Sequence, residues 1–452
     1  MYPKNNIDLS AQKYYDEGNA LVAQRRFVEA TACYDKAIAL KPDYAPAYNN
    51  RGNAFKNLGR FQEALDSYDR AIQLQPYRKE LLANRANALQ ELERLEEAIA
   101  CYEAVIALKP DYVKAYSNYG VALKELMRFE DAIASFDRAL QLRPDYPEAV
   151  WNKSLVHLLL GEFETGWRGY EVRRRTKEFT VYRTFPTPLW LGDADISGRT
   201  ILVLWEQGYG DVIQFSRYVS LCQKAGARVL FAPQKPLQEL MRGLEAEAQI
   251  VDADNHNLRF DFHCPLLSLP YAFKTTAHTI PPPTRISVDE GKISAWARRL
   301  GTKSKPRIGV VWNSTGLDLR SKSIPLRQFQ RLFDQRFEFI ALQKHLTEAD
   351  RAILDRTGVL HPGQALFDFT DTAALCHQMD LVITVDTSVA HLVGALGLPV
   401  WLLLQWCPDW RWLLNRSDTP WYPTMRLFRQ QARGDWEGLV DRVLLELSSN
   451  FP

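Results

Sequence analysis

The chain lacks several features that would point to specialised classes of protein. Its six cysteines, at 33, 101, 222, 264, 376 and 407, form no CxxC pair and show no ligand-like spacing with histidine. That argues for reduced, buried thiols rather than a disulfide framework or a zinc site. Cys33 and Cys101 occupy a position that elsewhere carries Ser67 and Ser135, a slot for small residues. An excess of one charge is also missing. With 56 basic and 54 acidic residues the net charge is +2, too small a field to imply nucleic acid or an anionic membrane as partner. The opening MYPKNNIDLS has neither the basic start nor the apolar stretch of a secretory signal. The apolar run over 381–404 is broken by Asp386, His391, Gly394, Gly397 and Pro399 into pieces too short to span a bilayer. It reads as buried strand, helix, buried strand, and a soluble cytoplasmic protein is the expectation.

What is present divides the chain in two. Its 452 residues exceed one hydrophobic core, and the tryptophans lie after residue 150. In the first part Gly18, Gly52, Ala86, Gly120 and Ser154 recur at a period of 34. So do Phe27, Phe61, Leu95, Phe129 and Phe163; Ala30, Ala64, Ala98, Ala132 and Gly166; and Tyr34, Tyr68, Tyr102, Phe136 and Tyr170. Pro42, Pro76, Pro110 and Pro144 close the first four units. Each unit reads as two amphipathic helices: the small column admits close approach, the aromatic columns fill the groove, and proline stops the second helix. The columns, in units such as YNNRGNAFKNLGRFQEALDSYDRAIQLQP, resemble the tetratricopeptide repeat. An array of about five units is expected over 10–178, the fifth departing from the pattern as a cap. Its shape suits a protein partner, with Asn49, Asn50, Asn84 and Asn118 as exposed candidates for peptide backbone.

A linker over 179–199 is expected, and from Thr200 strands alternate with helices. ILVLW (201–205) and RVLFAP (228–233) fall in a first lobe, 200–285. After the prolines at 281–283, RIGVVW (307–312), FEFIALQ (337–343), LVITV (381–385) and PVWLLL (399–404) fall in a second, 286–452. This is the pattern of parallel α/β sheets, and two such units joined by a linker fit two Rossmann-like lobes around a cleft. The overall class is therefore α + α/β.

Three polar clusters follow strands, where open α/β sheets bind ligands. The first is Glu206-Gln207-Gly208-Tyr209-Gly210-Asp211, with Gln214 one turn on. Its two glycines let backbone approach a ligand, although Asp211 also reads as a simple helix N-cap worth roughly 1 kcal/mol. The loop is no P-loop, since no Gly-Lys-Ser/Thr follows. The second runs from Asn313 and Ser314 through Arg320 to Lys322 and Ser323, hydroxyl-rich and basic, and suits an oxygen-rich anion or a merely solvated loop. The third, Asp386-Thr387-Ser388-Val389-Ala390-His391, opens a helix whose free amides offer an anion site. His391 taken alone reads as a core residue. Asp252-Ala253-Asp254 matches the letters of a metal motif but lies outside these clusters and reads as a loop.

The frame from WEQGYGDVIQFSRY through VDTSVAHLVGALGLPVW to DWRW and WYPTMRLFRQ resembles glycosyltransferase family 9, the heptosyltransferase-like enzymes of GT-B fold. More closely it resembles the bacterial proteins that join such a domain to tetratricopeptide repeats, some of which glycosylate flagellin. The resemblance implies a nucleotide-sugar donor, a protein acceptor recruited by the repeats, and metal-independent inverting transfer with no cofactor. It implies Asp211 as general base, Lys322 with nearby Arg320 facing the leaving diphosphate, and Asp386, Thr387, Ser388 and His391 holding the donor nucleotide. Gly208, Gly210, Gln214, Asn313 and Ser314 line the same loops. The repeat array and the DWRW segment depart from true heptosyltransferases, which leaves sugar and acceptor open. Trp406, Trp410, Trp412 and Trp421 fit either stacking on a sugar or base, or packing between lobes. The final helix, from Trp436, is expected to cross back and brace the first lobe. A non-catalytic scaffold and a sugar-nucleotide epimerase or hydrolase are the competing readings.

Overall fold

The computed structural model of the chain describes residues 4–176, 185–246, 248–314 and 322–451. They form two compact units that divide at Val156/His157. The division falls inside the helix Pro147–Leu159, ahead of the 178 expected from the repeat count, so residues 157–176 belong to the second unit.

The first unit is a run of helix pairs: α1 (Lys4–Ala23) with α2 (Phe27–Leu40), α3 (Ala45–Asn57) with α4 (Phe61–Leu74), α5 (Lys79–Glu91) with α6 (Leu95–Leu108), and α7 (Val113–Glu125) with α8 (Phe129–Leu142). The small column works as the period implies. A Cβ placed on Gly52 would lie 2.6 Å from the Tyr68 ring, and the same distance separates Gly18 from Tyr34 and Gly120 from Phe136. Ala86 fills this position in the third unit with no exposure, as does Tyr102 opposite it. Each buried phenol also needs a partner, and the hydroxyls of Tyr34, Tyr68 and Tyr102 donate to Asn19, Asn53 and Asn87 at 2.8, 2.8 and 2.7 Å.

The asparagines expected to be exposed are half-buried and engaged in this network. Asn50 donates to Asn19 at 2.8 Å and to Tyr15 at 3.1 Å; Asn84 donates to Asn49 at 2.9 Å, and Asn118 to Asn87 at 2.8 Å. They join successive repeats, because an amide side chain facing the next helix pair finds a partner there before it finds water.

A second period of 34 escaped the sequence reading. Arg25, Gly59, Glu93 and Met127 all adopt left-handed backbone, with φ of 59, 71, 58 and 59°. Each ends the first helix of its pair. The next residue's N–H returns to the helix, as from Arg60 to the Phe55 carbonyl and from Arg94 to the Leu89 carbonyl, both at 2.9 Å. This is the Schellman arrangement, which glycine adopts without the Cβ penalty. Only one of these four positions in the first unit carries glycine. Glu93→Gly and Arg25→Gly should each raise the unfolding free energy by about 1 kcal/mol, and Gly59→Ala should lower it by a similar amount. Urea denaturation at unchanged slope checks all three.

The second unit holds two parallel sheets. The first orders as β3-β2-β1-β4, with β1 (Thr200–Leu204), β2 (Arg228–Ala232), β3 (Gln249–Ile250) and β4 (Phe262–Pro265). The second orders as β6-β5-β7-β8-β9, with β5 (Arg307–Val311), β6 (Glu338–Ala341), β7 (Leu381–Val385), β8 (Val400–Leu404) and β9 (Met425–Arg429). Every residue of β5, β7 and β8 is buried, as sheets covered on both faces require. The sequence reading found the long apolar strands and missed β3, β4 and β9, which are short or interrupted by His263 and Arg426. The chain order reverses beside β1 in one sheet and between β5 and β7 in the other, and the loops at those carboxyl ends are where such sheets open.

The last helix does not brace the first sheet. Trp436–Asn450 buries Trp436, Leu439, Val440, Val443 and Leu447 in one core with Ile308, Phe339 and Trp401 of the second. Its apolar stripe is matched by the covered face of β5 and β8, close in chain to β9. No helix among the described residues is long and apolar enough to cross a membrane, and Cys33, Cys101, Cys222, Cys264, Cys376 and Cys407 are all free.

Candidate functional site

After β1 the chain passes Glu206 and Gln207 and enters the helix Tyr209–Phe215 at Gly208. Asp211 is that helix's third residue, and its Oδ2 accepts from the Gly208 N–H at 2.8 Å. The capping role is therefore real, but Gly208 and not Asp211 is the cap position. The other oxygen, Oδ1, accepts from Nη2 of Arg411 in a close ion pair. Burial raises the Asp211 pKa, and Arg411 opposes that shift.

Arg411 follows β8 in the DWRW segment and is nearly fully buried. Its Nε donates to Oε1 of Gln214 at 2.8 Å and its Nη1 to Asp409 at 2.8 Å, while its guanidinium lies 4.2 Å from the centre of the Trp410 ring. Asp409 stands 3.8 Å from Lys322, whose ammonium donates to Asp386 at 3.0 Å. Asp386 lies 3.9 Å from Nε2 of His391. The result is a chain of alternating charge, Asp386–Lys322–Asp409–Arg411–Asp211, that starts beside His391 at the end of β7 and finishes beyond β1. Burial acts against the charge on Lys322, yet Asp386 and Asp409 outweigh it and its pKa is raised. Burial likewise opposes the Asp409 carboxylate, which Arg411 and Lys322 nevertheless hold well below the usual range.

His391 belongs to the packing of this junction. Burial lowers its pKa to about 3, so the ring is neutral. Its Nδ1 pairs with the Tyr422 hydroxyl at 3.0 Å, and the ring stacks on Trp412 at 5.3 Å. A Cβ on Gly210 would lie 2.6 Å from His391 Cδ2. That second glycine of the loop therefore admits an imidazole from the other sheet.

The remaining expected residues take varied places. Gln214 is wholly buried and orients Arg411. Asn313 accepts from the Ser323 hydroxyl at 2.7 Å, and the Ser314 N–H donates to the same hydroxyl at 3.1 Å. Both thus hold Ser323, the residue after Lys322. Thr387 and Ser388 are half-buried where the helix Ser388–Ala395 begins. Arg320 lies outside the described residues. Asp252 and Asp254 lie in a turn beyond β3, with Lys235 at 3.7 and 3.8 Å. Trp410, Trp412 and Trp421 are buried in packing, Trp410 being 5.2 Å from Trp167 between ring centres, whereas Trp406 is half-buried.

Asp409 and Arg411 were missed from the sequence as charged members of the site. The available signal was an acid and a base flanking a tryptophan just after a buried strand. Glu206 was noticed only as part of its loop. It anchors that loop, accepting from Arg173 at 2.8 Å and from the Leu267 N–H at 3.1 Å.

Residues 18–59, 45–77, 84–147 and 123–165 match the tetratricopeptide-repeat family, so the N-terminal part of the chain is a tetratricopeptide-repeat array. The chain is 26% identical over 329 residues to Protein FlbA of Caulobacter vibrioides, a match covering 65% of this chain and 54% of that protein. It thus spans about half the length of that curated relative. Among solved structures it is similar to YrrB, described as a TPR protein with an unusual peptide-binding site. That likeness has 21% identity, covers 36% of this chain and 85% of the other, and has a TM-score of 0.32. PilF of Pseudomonas aeruginosa is 19% identical, with 38% and 78% covered and a TM-score of 0.34.

Two predictions follow from the junction. In the unfolded chain the His391 imidazole takes a proton below about pH 6.5, whereas the folded protein holds it neutral down to about 3. The unfolded state therefore binds more protons across that window. Stability falls with falling pH there, by up to about 1.4 kcal/mol per pH unit from this group. His391→Gln should flatten the curve between pH 6.5 and 4 by that amount, read from urea midpoints. Gly210→Ala should cost about 1–3 kcal/mol, read from thermal unfolding, because the imidazole has to shift off Trp412.

Proposed function

We propose that this chain is a nucleotide-sugar-dependent, inverting glycosyltransferase of GT-B architecture that needs no metal and modifies a protein acceptor recruited by the repeats. The observation that carries the reading is the meeting of Asp211, Lys322, Asp386 and Arg411 at the carboxyl ends of strands from both sheets. An acid beside two cations suits the two halves of the reaction. The acceptor oxygen attacks the anomeric carbon, the new C–O bond forming as the bond to the diphosphate oxygen breaks. Asp211 takes the hydroxyl proton late in that attack, when the hydroxyl has become acidic. The departing diphosphate keeps the bonding electrons, and Lys322, Arg411 and the amides opening the Ser388–Ala395 helix stabilise its charge. Binding of a peptide by the repeat array rests on its run of stacked helix pairs.

One observation favours the competing reading of a non-catalytic scaffold. Among the described residues, the gap lined by Lys322, Asp386 and Asp409 leaves no space that a small molecule could fill. The proposed donor therefore requires the loops to open. Thermal unfolding with a panel of nucleoside diphosphates and their sugar conjugates separates the two. A saturating ligand at a hundred times its Kd adds about 2.7 kcal/mol, and a flat panel would favour the scaffold. With an identified donor, Asp211→Asn should lower turnover by about a hundredfold or more without weakening donor binding. Wild-type turnover in that variant would remove Asp211 as the base.

A further inference from the structure

Among the described residues the charge chain is not balanced: Asp211, Asp386 and Asp409 face Lys322 and Arg411, with His391 neutral, so three acids meet two bases. Asp211 itself is faced by Arg411, Asp409 and Lys322, by the Gly208 N–H, and by the phenols of Tyr170 and Tyr422. Among the described residues Arg411 is the cation that hydrogen-bonds it. The guanidinium is shared, with Nη2 on Asp211, Nη1 on Asp409 and Nε on Gln214. Gln214 has no exposure, and its Nε2 has no hydrogen-bond partner. A buried amide donor without an acceptor beside a shared guanidinium is what an incoming oxyanion would satisfy.

We propose that Arg411 is an exchangeable partner of Asp211: a diphosphate-type anion entering beside Lys322 draws the guanidinium off the carboxylate, and Asp211 then takes up a proton. The proposal rests on reading this cluster as an anion site, as the proposed function does. Phosphate oxygens carry more charge than one carboxylate oxygen and match the guanidinium fork in two places. Once Arg411 turns to the anion, Asp211 is left buried next to added negative charge. Both effects favour its neutral form. Asp409 keeps Lys322 and the other face of Arg411, so it stays ionised. The acid is thus held as an ion pair while the site is empty of anion and becomes able to accept a proton once the anion is bound. In turnover that proton comes from the acceptor hydroxyl; with an anion alone it comes from solvent.

The test is calorimetric titration of the full chain with inorganic pyrophosphate near pH 6, in two buffers of different ionisation enthalpy, which counts protons taken up on binding. Comparison with Asp211→Asn cancels the pyrophosphate's own titration. The wild type should take up about half a proton more than Asp211→Asn. Arg411→Lys, which keeps the charge but loses the fork, should bind about tenfold more weakly and take up correspondingly less at equal pyrophosphate. Equal uptake by wild type and Asp211→Asn would overturn the exchange, and so would failure of the wild type to bind pyrophosphate. The result stays distinct from the transferase reading. Asp211-dependent uptake without sugar transfer would leave the exchange standing and sink the enzyme, whereas transfer without such uptake would do the reverse.

Discussion

The two sheets of the second unit meet at a point where backbone, imidazole and guanidinium have to share a very small space. Gly210 lets His391 lie against the helix after β1, and Arg411 reaches from the loop after β8 to Asp211 in that same helix. Much of what surrounds this point serves to hold it. Trp412 stacks on the imidazole, the Tyr422 hydroxyl pairs with its Nδ1, and Gln214 orients the guanidinium. Arg217, itself buried, donates to the carbonyls of Pro281 and Trp421 and so ties the linker to the second sheet. Buried charge tolerates this only because each ion has a partner at hydrogen-bonding distance, since the cost of an unpaired one is several kcal/mol.

That economy also shapes the chemistry proposed for the site. Lys322 and Arg411 are the cations an anionic leaving group needs, and both are already paired with carboxylates. Pairing keeps them in place without a ligand, and it sets the terms on which a ligand enters. An anion has to compete with Asp386, Asp409 or Asp211 for them, and succeeds only if it offers more charge or better geometry. The narrow gap beside Lys322 belongs to a closed arrangement in which both cations are already paired.

The repeat array was the most legible part of the molecule. The small column answers to one contact, a glycine under an aromatic ring, which recurs in the first, second and fourth units. The left-handed turns at Arg25, Glu93 and Met127 were hidden because nothing in those side chains announces positive φ. The asparagines were found but misassigned: a polar residue on a helix reads as solvated until its neighbour across the repeat boundary is known. In the second unit the long buried strands were visible as apolar runs, whereas β4 and β9, carrying His263 and Arg426, were not. The polar clusters after β1, β5 and β7 were legible as strand-end segments, yet Asp409 and Arg411 were not legible as charged groups because the tryptophans around them dominate the segment.

By itself the sequence determined the helical period, the parallel character of the sheets, and which loops end at the strands' carboxyl edges. These follow from local periodicity and from the burial of continuous apolar runs. Only the tertiary structure decided that His391 is a packing residue, that Asp211 is ion-paired, and that the last helix covers the second sheet. Those outcomes depend on groups distant in the chain, 31 positions for His391 with Tyr422 and 200 for Asp211 with Arg411. Electrostatic pairing and steric fit act through space at a few ångströms, and the order of residues along the chain does not encode which distant groups will arrive there.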